Sequence, residues 1–512
     1  MSEPAPSSSG ENEPAPVRTH RVLPEAELAT LDDYVKTGGG VGLQKSLELS
    51  ADELIELVTA SGLRGRGGGG FPTGVKWRTV ADFASDELAT TVVINGAEGE
   101  PGTFKDRAIL RANPYAVLEG AVIAARAVGA PTAVIAIKSQ FRRERQRIDA
   151  AIAEMVGAGL VDDGVLSVFE GPDAYLFGEE TALLEALAGR PPFPRIAPPW
   201  RRGVDEAVRS VDDVDSGSGS AAPVEMAGST PAPPTLVNNV ETIANVAGIV
   251  ANGADWFRSV GTADSPGTVV CTVSGSTVRA GVGEVPMGTT LGAAIEAIGG
   301  GVETGRAINA VLLGVANPVL TGDQLDTPLT YEAMAAAGSG LGSVGVIVLD
   351  DQVDPVAAAA GVSRFLAVES CGQCSPCKQD GLAIAAALRA LLRSPGDEAS
   401  RRDADSHLAT VGDEARCALA AQHQQVVGGL LALHDRTAGA DRRAGVGGEV
   451  GGDEETDQSV PLLISELLDI GSNGVAAYDE RFLEKQPDWT FEDVDSGQSP
   501  VDRLTDRRAD ET

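Results

Sequence analysis

The chain reads as an α/β protein: a parallel sheet layered with helices comes first, a small β-grasp-like unit follows, and a helical region comes last. Three observations predict this. Short apolar runs alternate with amphipathic helical runs between residues 90 and 189, the pattern of strands joined by crossover helices. Residues 268–300 compress two short strands, turn glycines and a helix into one stretch. After Pro355 the apolar spacing turns helical, and four of the five cysteines fall there, which favours metal binding over a disulfide scaffold.

Taken in order, residues 1–17 are rich in Pro, Ser and Glu and are expected to be disordered. "SADELIELVTASGL" places Leu54, Leu57, Val58 and Ser61 near one helical face, with Ser50 positioned as the N-cap. The glycine-rich "SGLRGRGGGGFPTGVKW" follows directly. "TTVVIN" (90–95) reads as a strand, "GAEGEPGTFKDR" as a loop at its carboxyl end, and Pro114 to Val128 as a helix. "TAVIAIK" (132–138) is the next strand, Phe141 to Val156 a charged helix, and "GVLSVFE" a strand that delivers "GPDAYLFGEETALLEALAG". Ligands of parallel sheets sit at such carboxyl ends. Val204 to Thr230, rich in Ser, Gly and Asp, reads as a solvated insertion. "VGVIVLDD" (344–351) is a further strand, and 437–459 leads into an acidic tail.

The chain has 512 residues, 43% of them hydrophobic, and a formal net charge of −34. Such a field repels nucleic acid and anionic membrane. Only seven of the 40 basic residues are lysine, and an acidic, lysine-poor composition suits high salt, where screening removes self-repulsion. The first residues show no charged segment followed by an apolar one, and no apolar run is long enough to span a bilayer, so a cytoplasmic chain is expected.

The most specific motif is "ESCGQCSPCKQDG", with Cys371, Cys374 and Cys377, followed by Cys417 in "ARCALAA". A 4Fe-4S cluster needs four thiolates held by such a run and a distant fourth ligand. Tetrahedral zinc also accepts four cysteines, though usually from two separated pairs, and unliganded thiols are the plain alternative. Cys271, alone in an apolar strand, reads as core.

Gly65, Gly67 and Gly70 reproduce a G-x-G-x-x-G spacing, but a dinucleotide fingerprint follows a strand, and a helix precedes this one. A pure linker has no use for Arg64, Arg66, Phe71, Lys76 and Trp77 in so short a span. What remains is a loop whose bare backbone approaches a phosphate or flavin edge. Glu98 and Glu100 in one loop and Glu179 and Glu180 in another can accept from ribose hydroxyls and repel a 2′-phosphate, or stand as solvated acids. Asn238 and Asn239 suit cofactor edges or an ordinary helix start.

Together these segments resemble the flavin- and NADH-binding subunit of respiratory complex I and its relatives in NAD-reducing hydrogenases and NAD-linked formate dehydrogenases. Five motifs match in order between roughly residues 40 and 435: "GLRGRGGGGFPTGVKW", "NGAEGEPGTFKDR", "GEETALLEALAGRPPFPR", "PTLVNNVETIANV" and "ESCGQCSPCKQDG" with Cys417. The resemblance implies a disordered tail (1–17), a Rossmann-like FMN/NADH domain (18–258, with the 204–230 insertion), a ubiquitin-like SLBB-type domain (259–350), a helical 4Fe-4S domain (351–436) and an acidic extension (437–512). It implies FMN contacts at Gly65, Arg66, Gly67, Lys76, Asn95, Asn238 and Asn239, with Gly68, Gly70, Glu98, Gly178 and Glu179 completing the surround. Phe71, Glu100 and Glu180 become NADH contacts, Glu180 excluding NADP, and Cys371, Cys374, Cys377 and Cys417 become cluster ligands.

The implied function is hydride transfer from NADH to FMN, then single-electron transfer through the cluster to partner subunits carrying further iron-sulfur clusters, ultimately to a quinone or another acceptor. No general acid or base is needed. The alternatives are a diaphorase subunit of a soluble hydrogenase or formate dehydrogenase, and a non-catalytic flavin/cluster scaffold. Location at the membrane would come through partners rather than insertion. The chain departs from the family at Ala97, where an Asp is usual, at Thr79, near a usual aromatic, and at Ala197, where a Lys is usual.

Overall fold

The computed structural model describes residues 18–84, 89–195, 199, 234–444, 467–470 and 476–478. The expected tail at 1–17, the 204–230 insertion, Ala197 and most of the acidic extension lie outside the described residues.

Two short helices, α1 (Leu31–Lys36) and α2 (Val41–Ser46), precede α3 (Ala51–Ser61). Ser50 caps α3 as its sequence predicts, in a reciprocal capping box with Glu53, and the helix buries Leu54, Ile55, Val58 and Ser61. Leu57 is only half-buried. Gly62, at φ 72°, ends α3 and turns the chain into the glycine loop, which leads to α4 (Thr73–Asp82).

The first sheet holds β1 (Thr91–Gly96), β2 (Ala133–Lys138), β3 (Leu166–Gly171) and β4 (Thr235–Asn239) in the order β3-β2-β1-β4. All three pairings are parallel, as the alternating pattern predicts. The helices are α5 (Lys105–Ala112), α6 (Pro114–Val128), α7 (Arg142–Gly157), α8 (Glu180–Leu187) and α9 (Val240–Asn252). The loop read as running to Arg107 turns helical at Lys105, because Glu98 accepts the N–H groups of Asp106 and Arg107 and so supplies the start of α5. Helices α6 and α9 cross tightly at Gly120, where a Cβ would lie 2.2 Å from the Ile243 carbonyl oxygen. Strand order reverses between β1 and β4, so a crevice opens beyond their carboxyl ends.

After α10 (Ala254–Arg258) comes a second, mixed sheet of β5 (Thr268–Gly275), β6 (Gly281–Pro286), β7 (Ile308–Leu313), β8 (Leu320–Thr321) and β9 (Gly345–Asp350), ordered β6-β5-β9-β7-β8. Helices α11 (Leu291–Ala294) and α12 (Tyr331–Ala336) belong to this unit. Val311, Leu313, Val346 and Val348 face its own core with Cys271, whereas Ala310, Leu312, Ile347 and Leu349 join the core of the helical region. Both faces of β7 and β9 are therefore covered, which is why "VGVIVL" (344–349) carries no polar side chain before Asp350.

The helical region comprises α13 (Pro355–Glu369), α14 (Ser375–Arg393), α15 (Glu398–Thr410), α16 (Leu419–Gln422) and α17 (Gly428–Ala444), with a π-helical turn at 423–427. Fully buried His423 sits in that turn; its Nε2 donates to the Ser363 carbonyl at 3.2 Å, and Nδ1 has no hydrogen-bond partner among the described residues. Burial lowers its pKa to about 4. The folded form resists protonation, so the histidine's contribution is complete above its ordinary value of about 6.5 and is lost as pH falls towards 4, worth up to about 3 kcal/mol. Urea unfolding at pH 7 and pH 4.5 should therefore show the stability advantage of the native chain over His423→Gln shrinking at the lower pH.

Candidate functional site

The crevice beyond β1 and β4 is a cavity of about 560 Å³, in the size range of cofactor sites. One wall is the glycine loop. Its ends are stitched by Gly65 N–H to the Phe71 carbonyl (2.8 Å) and Thr73 N–H to the Leu63 carbonyl (3.0 Å), so it is a closed turn rather than a tether. Gly68, at φ 118°, bridges Gly342 of the second unit, and neither Gly68 nor Gly69 has an atom closer than 3.9 Å to where a Cβ would stand. A Cβ at either position would meet open space, and both residues line the cavity.

Fourteen of the fifteen proposed cofactor residues line this one cavity: Gly65, Gly67, Gly68, Gly70, Phe71, Lys76, Asn95, Glu98, Glu100, Gly178, Glu179, Glu180, Asn238 and Asn239. Arg66 does not. Its side chain is 3% exposed and turns away, donating to the carbonyls of Pro266 (3.1 Å) and Thr268 (3.2 Å) and to the Tyr331 hydroxyl (2.9 Å). Five guanidinium donors are best satisfied among these buried acceptors, so Arg66 pins the loop to the second unit instead of facing a phosphate.

The remaining side chains divide by what they already hold. Lys76 Nζ pairs with Glu180 and donates to the Val237 carbonyl at 2.8 Å, leaving a cation at the cavity wall. Glu98 is committed to Arg107 Nε (2.9 Å) and the start of α5, and Glu179 caps α8 through the N–H groups of Thr181 and Ala182. Asn95 Nδ2 donates to the Gly178 carbonyl at 2.8 Å and its Oδ1 accepts from Ala97 N–H. Asn238 Oδ1 accepts from Trp77 Nε1, so its NH2 is the group it can offer. Glu100 accepts from Val315 N–H (2.6 Å) and the Tyr175 hydroxyl (2.6 Å); burial pushes its carboxyl above the usual range, and those two hydrogen bonds offset part of the rise. Phe71, 54% exposed, presents its ring at the rim.

Several lining residues had no place among the sequence candidates. Lys105, fully buried, bonds Asp106 (2.7 Å) and Asn239 Oδ1 (3.0 Å) and pairs with Glu241 at 3.0 Å. Burial opposes its charge, but Asp106, Glu241 and Glu98 outweigh burial and hold its pKa above the usual lysine range, while burial raises that of Asp106. Thr103, Lys105 and Asp106 lie in "GAEGEPGTFKDR", where they read as plain loop residues. Ala316 and Ser343 from the second unit and Gln422 from the helical region had no local signal. Ser343 precedes Val344, a buried β-branched residue held at φ 55°.

A second, smaller cavity is lined by Cys371, Cys374, Cys377 and Cys417, with Leu176, Leu419 and Ala420 among its apolar walls. Among the described residues no three His, Cys, Asp or Glu side chains are gathered closely enough to hold a single metal ion; the four thiols ring a space. That donor set, four sulfurs around an apolar hollow, fits an iron-sulfur cluster. Burial pushes the Cys377 thiol up and the Cys417 thiol up to about 12, so metal charge is what would keep them as thiolates. Leu176, Cys417 and Leu419 line both cavities, which therefore share a wall.

Residues 58–248 match the family model described as the Nuo51 FMN-binding domain, and 357–437 the NADH-ubiquinone oxidoreductase-F iron-sulfur binding region. The F subunit of NADH-quinone oxidoreductase from Streptomyces coelicolor is 37% identical over 363 residues, 69% of this chain and 75% of that protein. The chain belongs to the F-subunit family of NADH-quinone oxidoreductases. Another relative in this F-subunit family, the second of the numbered F subunits of Rhizobium meliloti, is 36% identical over 367 residues, 70% of this chain and 80% of its own length. The family match extends to hydrogenases: the HndC subunit of the NADP-reducing hydrogenase of Solidesulfovibrio fructosivorans is 34% identical over 406 residues, 76% of each chain. A solved NAD+-reducing NiFe-hydrogenase in the air-oxidized state superposes with a TM-score of 0.66 at 30% identity, covering 80% of this chain and 67% of that one. As a member of the F-subunit family the chain is an oxidoreductase flavoprotein subunit with FMN and 4Fe-4S regions. Among its described residues no helix is long and apolar enough to cross a membrane.

Proposed function

We propose that this chain is the electron-input subunit of an NADH-oxidising assembly, taking up hydride from NADH at the larger cavity and releasing single electrons through the smaller one to a partner protein. The shared wall of Leu176, Cys417 and Leu419 is the observation that carries this reading, since it joins a nucleotide-sized site to a four-thiol cage with no intervening domain. When bound, FMN supplies the conversion between two-electron and one-electron chemistry, and the cluster supplies a one-electron carrier.

The chain's own residues then position and hold. The glycine loop and Lys76 would hold the flavin phosphate, and the amides of Asn95, Asn238 and Asn239 its ring edges, with Arg66 acting behind the loop. Phe71 offers a stacking face to the nucleotide. Glu180, beside Lys76, opposes a 2′-phosphate by like charge. Glu180→Gln should therefore raise kcat/KM for NADPH relative to NADH by about tenfold. Cys371, Cys374, Cys377 and Cys417 would hold the cluster.

The domain boundaries that suit this reading are 18–258, 259–350 of SLBB type, and 351–436. The HndC and hydrogenase likenesses favour, as a second reading, a diaphorase subunit of a soluble hydrogenase. In either case the partners carry further iron-sulfur clusters; in the first reading, peripheral attachment from the cytoplasmic side comes through them. The charge of −34 supports a salt-adapted protein. Purified anaerobically in high salt, the chain is expected to show flavin and iron-sulfur absorbance that bleaches on adding NADH. Bound flavin that stays oxidised would sink the dehydrogenase reading and leave a scaffold.

A further inference from the structure

We propose that Ser370 and Gln373 set the reduction potential of the four-cysteine site by donating hydrogen bonds to two of its ligand sulfurs, an inference that rests on the cluster reading of that cage. Ser370 is 2% exposed, and its Oγ lies 3.3 Å from Cys377 Sγ. Between a hydroxyl and a thiol either group can donate. A cluster-bound cysteine has lost its proton, so only the serine hydroxyl can then donate.

Gln373 Nε2 lies 3.4 Å from Cys371 Sγ and 3.1 Å from the Pro194 carbonyl oxygen. A carboxamide could present either end to a sulfur, but its orientation here is fixed from both sides. The Pro194 carbonyl can only accept, and Arg416 Nη1, 3.4 Å from Oε1, can only donate. The NH2 group therefore faces the sulfur. Cys417 differs in kind, receiving a backbone hydrogen bond from Leu419.

A third feature adds charge to the same side. Lys378 is 3% exposed, and its ammonium is anchored to the carbonyls of Ala367 (3.0 Å), Val368 (3.4 Å) and Ser370 (3.4 Å). It cannot swing away into water, and it also holds the Ser370 backbone in place. The rest of the wall is largely apolar, which strengthens each of these interactions.

The sign follows from where charge goes. Adding one electron increases the negative charge on the sulfurs, so a donor binds the reduced state more strongly than the oxidised one. Both side chains thus raise the potential and make the cage a better electron sink for the cavity beside it. They act through the ligands and are positioning residues.

The test is a redox titration of the full chain, reconstituted with flavin, iron and sulfide, with the reduced fraction read by low-temperature paramagnetic resonance. At the ambient potential where the native protein is half reduced, Ser370→Ala and Gln373→Met should each raise the oxidised-to-reduced ratio about two- to tenfold at unchanged iron content. Ser370→Thr, which keeps the hydroxyl, should stay with the native protein. If both donor-free variants titrate with the native protein at full iron content, the inference is overturned while the cage reading stands. A native chain that binds no iron overturns the cage reading itself. Should Ser370→Ala fail to assemble its cluster, Gln373→Met decides the matter, because that side chain is half-buried at the rim and its replacement opens no core.

Discussion

Cys374→Ser is expected to fold, bind flavin and bleach with NADH, yet hold almost none of its iron and pass almost no electrons to a one-electron acceptor. The residue is well chosen for such a test because of where it stands. Cys374 is the N-cap of α14, with extended backbone and no side-chain capping bond, and serine is among the best N-cap residues. The substitution thus costs the helix nothing, and lost iron cannot be put down to lost structure. Iron should fall from about four atoms per chain to near zero, and NADH-driven one-electron reduction by at least about a hundredfold. Far-ultraviolet dichroism should match the native chain. A full complement of iron in this variant would remove Cys374 from the ligand set.

The second large effect is expected at the glycine loop. Gly68 stands at φ 118° on the cavity wall, where a β-branched residue costs roughly 1–3 kcal/mol, and a Cβ there would lie 3.9 Å from Gly342 of the second unit. Gly68→Val strains the loop and adds bulk at the cavity wall beside Gly342, so bound flavin per chain should drop to about a tenth or less. Gly129→Ala is the control. Gly129 ends α6 at φ 68° with nothing within 4 Å of its missing Cβ, so that change carries backbone strain without touching the cavity. It should lower stability by about 1 kcal/mol and leave the flavin content unchanged. If Gly68→Val retained full flavin, the glycine loop would not be the cradle.

Much of this arrangement was legible because its signals are local. The Ser50–Glu53 capping box and the Pro114 and Gly129 boundaries of α6 are decided within a few residues of sequence, and α6 runs between the limits its pattern predicts. The cysteine run was equally plain, since thiols at that spacing have few other uses. Arg66 shows where such reasoning stops. A cation between glycines reads as a phosphate contact, but three of its four acceptors, from Pro266, Thr268 and Tyr331, lie some 200 residues or more away, and no local pattern announces them. Glu98 and Glu179 mislead in the same way: each looks like a free acid and is spent on starting a helix. Lys105 was visible but mute, because its partner Glu241 lies on another element. Ala97, 1% exposed, turns its N–H to Asn95 Oδ1 and is held by that local bond.

The bridge between Gly68 and Gly342 bears on modularity. The flavin cavity is not the property of the unit whose sheet it crowns: one lip is tied to the second unit, which also contributes Ala316 and Ser343, and Gln422 and Cys417 come from the helical region. An isolated 18–258 fragment would expose that lip to solvent and leave the cavity without two of its sides. Flavin retention therefore reports on docking of the whole chain, and the unit cannot be transplanted between proteins as an independent cassette.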